Sequence, residues 1–370
     1  MGKLIVDDEV IEKLYPKLLK ARNWIKRDIQ NKRPIIIRHH NDCDGYCAAF
    51  AIEKAISSFF MKEPEWFELK RIPSPVPYYS YDDCLRDIGN FKSSQRRFPA
   101  KSPLFILLDL GSTKQDLESI RKLRHYDCEI IVIDHHMPDE VINEYVDIHI
   151  NPYFAGGDGS YCTGIIASEV ANIIEPKEDY QIYQALSGVS DKTREEILKK
   201  YMKGFSREKI EKLSFAIGYE AWYLKGFSSS PTIYDLFNNN ELVNEINNEA
   251  EKKITERIKV MKKYAVKKKN LVFIDLFKTI PRNTFPPSGR SVGLLFKEYK
   301  GKVALAGFTD EICIFRASLN NFNVKDIIAR LRKKGFSVNG GGHELAGTIK
   351  FLPIEKERIL KEVESYVNSL

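Results

Sequence analysis

Three short hydrophobic runs in this chain each end in an acid or a histidine, and no other feature restricts the fold as much. Arg33-Pro34-Ile35-Ile36-Ile37-Arg38-His39 leads into His40-Asn41-Asp42-Cys43-Asp44-Gly45. Pro103-Leu104-Phe105-Ile106-Leu107-Leu108 leads into Asp109, and Glu129-Ile130-Ile131-Val132-Ile133 leads into Asp134-His135-His136. Runs of this length and β-branched content read as strands buried on both faces of a parallel sheet. Such a sheet binds ligands outside the carboxyl ends of its strands. The chain therefore delivers carboxylates and imidazoles to one edge of one sheet. Asp42 or Asp44 alone would pass as a helix cap, but so many acids together would repel one another and be driven to protonate. A pair of divalent cations resolves the conflict. Oxygen and nitrogen donors with no thiolate committed suit Mn2+ or Mg2+ better than structural zinc. Two such ions, about 3.5–4 Å apart, activate water for in-line attack on phosphorus.

The 370 residues suffice for two domains with separate cores. No run approaches the roughly 20 apolar residues of a membrane span, and the first residues lack the apolar core of a signal peptide. Six cysteines occur without CxxC pairs, which argues against a disulfide framework. Cys43 and Cys47 read as small buried hydrophobes. These features point to the cytoplasm. A net charge of +7 permits a polyanionic partner without requiring one.

Residues 8–29 read as an amphipathic helix and 46–60 as the helix after the first strand. Residues 61–103 look irregular, with Lys92, Arg96, Arg97 and Lys101 in a basic loop. Trp66, Phe67, Tyr78, Tyr79 and Tyr81 read as core more readily than as base-stacking residues. The loop Tyr161-Cys162-Thr163-Gly164 opens a helix, with Thr163 either a cap or a site residue. The stretch from 194 to 265 looks helical and ends in a long connecting helix. Strands follow at 271–276, 303–308 and 311–317, then a helix at 324–333, Gly340-Gly341-Gly342-His343, another strand and a final helix. The fold class is α/β, in three parts: a parallel-sheet domain over 1–195, a helical insertion and connector over 196–268, and a smaller α/β domain over 269–370. A cleft is expected between the two α/β domains.

Asp134-His135-His136, the upstream His40-Asn41-Asp42-Cys43-Asp44-Gly45 and the intervening Asp109 together resemble the DHH phosphoesterase family. Gly340-Gly341-Gly342-His343 and Arg316-Ala317-Ser318 resemble elements of its DHHA1 accessory domain. The elements stand in family order at both ends of the chain. The resemblance implies that His40 and Asp42 hold one metal and that Asp44, His135 and Asp191 hold the other, with Asp109 bridging. His136 would face the scissile phosphate, and Asp134 would orient a ligand histidine. Of the adjacent His39 and His40, which point to opposite faces of a strand, His40 is preferred as ligand and His39 as a packed imidazole. Arg316, Ser318, Gly340, Gly341, Gly342 and His343 would bind substrate, the glycines as a phosphate cradle.

Within the family, the resemblance is to archaeal RecJ-like enzymes. It implies a Mn2+-dependent exonuclease on single-stranded DNA or RNA, releasing mononucleotides with 3′-to-5′ polarity, with two Mn2+ per site and Mg2+ as a substitute. It also implies a possible helicase or replisome partner and no membrane. The alternatives are a phosphodiesterase of short oligonucleotides, an adenosine bisphosphate phosphatase, or an inactive replisome-binding scaffold. The complete set of acids disfavours the scaffold.

Overall fold

The computed structural model describes residues 4–60, 68–97, 101–176, 179–224, 231–281 and 283–370. The chain divides into two compact units, Met1–Asn247 and Asn248–Leu370.

The first unit begins with α1 (Glu9–Gln30), β1 (Ile35–His40), α2 (Cys43–Phe60), β2 (Leu69–Ser74), α3 (Tyr81–Arg97) and β3 (Leu104–Leu108). It continues through α4 (Leu117–Arg124), β4 (Glu129–Ile133), β5 (Ile148–Ile150), α5 (Thr163–Ile174) and α6 (Gln181–Ser190). Next come α7 (Glu195–Tyr201), α8 (Arg207–Tyr223), α9 (Pro231–Asp235) and α10 (Asn240–Tyr264), the last crossing into the second unit. The five strands form one parallel sheet in the order β2-β1-β3-β4-β5. Alternation along the strands splits their side chains between two cores. Ile36, Phe105, Leu107, Ile130 and Val132 pack with Ile88 and Phe91 of α3 and Ile120 and Leu123 of α4. On the other face, α2 lies along β1 and α5 along β4. Both faces are covered, so β1, β3 and β4 carry almost unbroken apolar runs. Helix α1 starts where the Asp8 carboxylate accepts the Val10 amide, and it buries Ile11, Leu14, Leu18 and Ile25 at helical spacing.

The second unit contains β6 (Val266–Lys268), β7 (Leu271–Asp275), α11 (Leu276–Thr279), α12 (Ser288–Phe296), β8 (Ala304–Phe308) and β9 (Ile312–Ala317). It ends with α13 (Val324–Lys333), β10 (Val338–His343), β11 (Ala346–Phe351) and α14 (Lys356–Asn368). Its six-stranded sheet runs β10-β11-β9-β8-β7-β6 and is antiparallel except between β7 and β8. One face, with Ala304, Ala306, Cys313 and Phe315, packs on α13 and α14. The other, with Val272, Ile274, Leu305 and Ile314, packs on Val292 and Leu295 of α12.

Two expectations are corrected. The stretch read as a basic loop is α3 up to Arg97, because Arg38 of β1 makes a buried two-bond ion pair with Asp87 at 2.7 Å and ties the helix to the sheet. Helix α2 starts at Cys43 rather than 46, so Asp44 lies in its first turn. Gly340-Gly341-Gly342-His343, expected as a phosphate cradle, forms part of strand β10, paired with β11. Trp66 and Phe67 lie outside the described residues. Tyr79 is fully buried and packs in the core with Phe105. Among the described residues, no helix is long and apolar enough to cross a membrane.

Candidate metal centre

The carboxyl ends of β1, β3 and β4, the first turn of α2 and the residue after α6 bring six side chains together. His40 Nδ1 lies 2.8 Å from Asp42 Oδ2 and 3.2 Å from Asp109 Oδ2. His135 Nε2 lies 3.3 Å from both Asp109 Oδ1 and Asp191 Oδ2, and 3.9 Å from Asp44 Oδ2. Two three-residue groups result, His40–Asp42–Asp109 and Asp44–His135–Asp191, each with one donor atom per residue within 4.8 Å of the others. A third, Asp109–His135–His136, joins them. Asp109 stands between the two sides, one oxygen toward each histidine. It reaches this place with a left-handed backbone, φ 58°, a conformation that aspartate tolerates better than most residues.

The backbone fixes how these groups point. Asp44 Oδ2 accepts the Thr163 amide at 2.9 Å and Oδ1 the Gly164 amide at 2.7 Å. The Asp44 carboxylate therefore caps α5, a favourable place for negative charge. Thr163 is the first helical residue, not the cap, which is Cys162. Gly164 permits this approach, since a Cβ there would sit 1.8 Å from Ser187 Oγ and 3.0 Å from Asp44 Oδ1. Gly45 lets α2 start against the end of β1, because a Cβ would meet the His40 carbonyl at 2.1 Å. His135 Nδ1 donates to the Gly159 carbonyl at 2.7 Å, which turns Nε2 toward the acids. Asp134 was expected to orient a ligand histidine. Its Oδ1 receives the ring of His136, a member of the third candidate group, at 2.8 Å, along with the amides of His135 and His136. Asn41 pins the intervening loop, its Nδ2 donating to the Ala221 carbonyl of α8 at 2.7 Å.

Electrostatics expose the crowding. Burial and the nearby Asp109 push the Asp44 carboxyl up to about 7. Burial, with Asp44 and Asp42, raises Asp191 well above the carboxylate range. Burial also acts upward on Asp109, but the neighbouring His135 and His40 rings outweigh it and hold that carboxyl low. Burial works against protonation of His40, yet Asp42 and Asp109 raise it to about 11. The buried Asp109 Oδ1 makes no hydrogen bond of good geometry, its contact with His135 Nε2 at 3.3 Å being an ion pair. A buried carboxylate oxygen without a well-formed hydrogen bond, shared acids and two imidazoles with fixed edges fit divalent cations with hard ligands.

The other sequence-derived residues divide. His39 is fully buried, edge-on to Tyr46 at 4.7 Å, with Nδ1 on the His40 carbonyl. In the second unit, β10, β11 and β9 place His343, Ala346 and Arg316 in one cross-strand row. Arg316 is half-buried, its guanidinium donating to the Phe315 carbonyl at 2.7 Å. The Ser318 hydroxyl donates to the Gly301 carbonyl at 2.8 Å and accepts the Val303 amide, so it braces a turn. Gly340 is needed for strand pairing, since a Cβ would meet the Thr348 carbonyl at 2.2 Å. Sequence reasoning missed Asn41, Ser112, His149 and Gly159. Each acts through polar side-chain or backbone atoms that no spacing rule marks.

Residues 34–193 match the family model described as DHH family, N-terminal domain. The uncharacterized protein MJ1198 of Methanocaldococcus jannaschii is 31% identical over 413 aligned residues, covering 96% of this chain and 54% of that protein. The chain thus spans about half the length of that curated relative. The solved DHH domain of PF0399, described as a member of a family of ribosomal proteins, matches with TM-score 0.91 at 30% identity, covering 99% of this chain and 93% of that one. RecJ of Thermus thermophilus in complex with Mn2+ matches in fold, with TM-score 0.63 at 12% identity, covering 96% of this chain and 55% of that one.

Proposed function

The chain belongs to the DHH family and carries its phosphoesterase fold, and from this premise we propose that it hydrolyses single-stranded nucleic acid from an end, using two divalent cations. The observation that carries the reading is Asp109, set between His40–Asp42 on one side and Asp44–His135–Asp191 on the other. His40 and Asp42 would hold one cation and Asp44, His135 and Asp191 the second, with Asp109 shared. Mn2+ suits this donor set and Mg2+ can replace it. When bound, such a pair polarises phosphoryl oxygens and lowers the pKa of water.

The chain's own groups do the rest. Asp134 accepts a hydrogen bond from His136 Nδ1 and fixes the ring, and in the metal-free protein that carboxylate raises the imidazole to about 9 against the opposing effect of burial. The other ring edge is left for a phosphoryl oxygen of the substrate. Arg316 would bind a substrate phosphate as a fixed, always-charged fork. The Thr163 and Gly164 amides keep Asp44 in place through the reaction.

End-labelled single strands of graded length, incubated with Mn2+, test the reading. It requires stepwise release of mononucleotides, 3′ to 5′, from strands of many lengths, and none in excess chelator. Turnover confined to two- or three-nucleotide substrates would replace the exonuclease with an oligonucleotide phosphodiesterase. Undiminished turnover in chelator would end the metal reading.

A further inference from the structure

Five of the seven histidines fall in the motifs discussed above; His125 and His149 do not. His149 lies in β5, in register with Val132 of β4, 5% exposed, and both ring nitrogens are engaged. Nδ1 is 2.8 Å from Asn143 Oδ1, and Nε2 is 2.8 Å from Ser112 Oγ. The Asn143 oxygen can only accept, so Nδ1 carries the proton and Nε2 accepts from the Ser112 hydroxyl. Burial pushes the imidazole down to about 4, so the ring is neutral at ordinary pH. The Ser112 oxygen in turn accepts from Asn151 Nδ2 at 3.2 Å.

A buried histidine with both nitrogens bonded is ordinarily a satisfied core residue. This one differs in where its chain of bonds ends. Asn151 Nδ2 also donates to the His136 carbonyl at 2.9 Å. The Ser112 amide donates to Asp134 Oδ2 at 3.1 Å, on the carboxylate that holds the His136 ring. Ser112, Asp134 and Asn151 are all fully buried. The network crosses from the end of β3 to the ends of β4 and β5, and every donor has one direction. It meets His136 twice, at its carbonyl and, through Asp134, at its ring.

We propose that His149 is a positioning residue: through Ser112 and Asn151 it fixes the loop after β4, and with it the orientation of the His136 imidazole toward the phosphate. Cation binding is left to the three candidate groups, none of which includes His149. The proposal rests on the phosphodiesterase reading for its kinetic consequence but not for its structural one.

The test pairs kinetics with imidazole NMR on protein carrying 15N-histidine. His149→Phe keeps the ring volume and the edge contact with Phe154 but removes both hydrogen bonds. It should lower kcat about tenfold or more, with KM and Mn2+ affinity within threefold of wild type, and it should shift the His136 ring resonances. His149→Gln, which returns an acceptor to Ser112, should recover most of the loss. Ser112→Ala should match His149→Phe, and the double variant should be no worse than either, as residues in one network are non-additive. An unchanged kcat in His149→Phe, a loss that follows Mn2+ affinity, or no recovery with Gln would overturn the proposal. Should His149→Phe fail to fold, Ser112→Ala and His149→Gln decide by the same criteria. If the wild type cleaves no strand, the phosphodiesterase reading falls separately. His136 resonances that move in both His149→Phe and Ser112→Ala would then support the positioning role, and resonances that stay put in both would refute it.

Discussion

Asp109 combines a left-handed backbone with a buried carboxylate oxygen whose contact with His135 Nε2 at 3.3 Å is an ion pair and not a well-formed hydrogen bond. The first costs about 1 kcal/mol, and the second leaves the carboxylate open to a further partner. Both make sense if a cation completes the site. The same residues predict how binding responds to pH. In the metal-free protein His40 is raised to about 11 and Asp44 to about 7, so at pH 6 both hold protons that a cation must displace. Each displaced proton costs about 1.4 kcal/mol per pH unit below the group's pKa. Mn2+ affinity should therefore rise by about tenfold or more from pH 6 to pH 8. Calorimetry in two buffers of different ionisation enthalpy should show proton release. A pH-independent affinity without release would mean that these groups are not the ligands.

Helix α5 links packing to the centre. Its first two amides hold Asp44, and Gly164 lets them come close. Gly164→Ala places a methyl against Ser187 and must push α5 or α6 away. It should destabilise the fold by about 1–3 kcal/mol through overpacking, seen as a lower melting temperature, and weaken Mn2+ binding together with it. A thermal melt beside a Mn2+ titration checks this, and unchanged values in both would remove α5 from the account. At this scale the sequence was legible only where apolar pattern decides structure. Strands β1, β3 and β4 are buried on both faces and show as runs. Strand β2 is an edge strand carrying Lys70, Arg71 and Pro73, and β5 has only three residues. Helix α3 is hidden because its anchor is the Arg38–Asp87 ion pair, which in one dimension is only two distant charges. The glycine run resembles a turn, but in β10 it allows close pairing with β11. The six clustered acids and histidines could be read from their strand ends. The carbonyl of Gly159 and the amides that orient them could not, because every residue has such groups.

The charge of the whole molecule is uneven. Residues 1–247 carry 33 Lys and Arg against 38 Asp and Glu, whereas residues 248–370 carry 25 against 13. An acidic unit suits cations and a basic one suits a polyanion, in line with the roles proposed for Asp109 and Arg316. Loss of a charge-assisted phosphate contact costs about 1.5–3 kcal/mol, roughly one to two decades in efficiency. Arg316→Ala should thus lower kcat/KM for strand cleavage by that factor and leave Mn2+ affinity unchanged. Loss of Mn2+ binding in this variant, or unchanged cleavage at sub-saturating substrate, would contradict the division of labour. The central claim, that Asp109 is shared by two catalytic cations, is tested most directly by Asp109→Asn, with Mn2+ stoichiometry and strand cleavage measured on the same folded preparation. The account predicts two Mn2+ for the wild type, fewer for the variant, and cleavage reduced by about 10³. Cleavage within a few-fold of wild type, with Mn2+ stoichiometry intact, would contradict it.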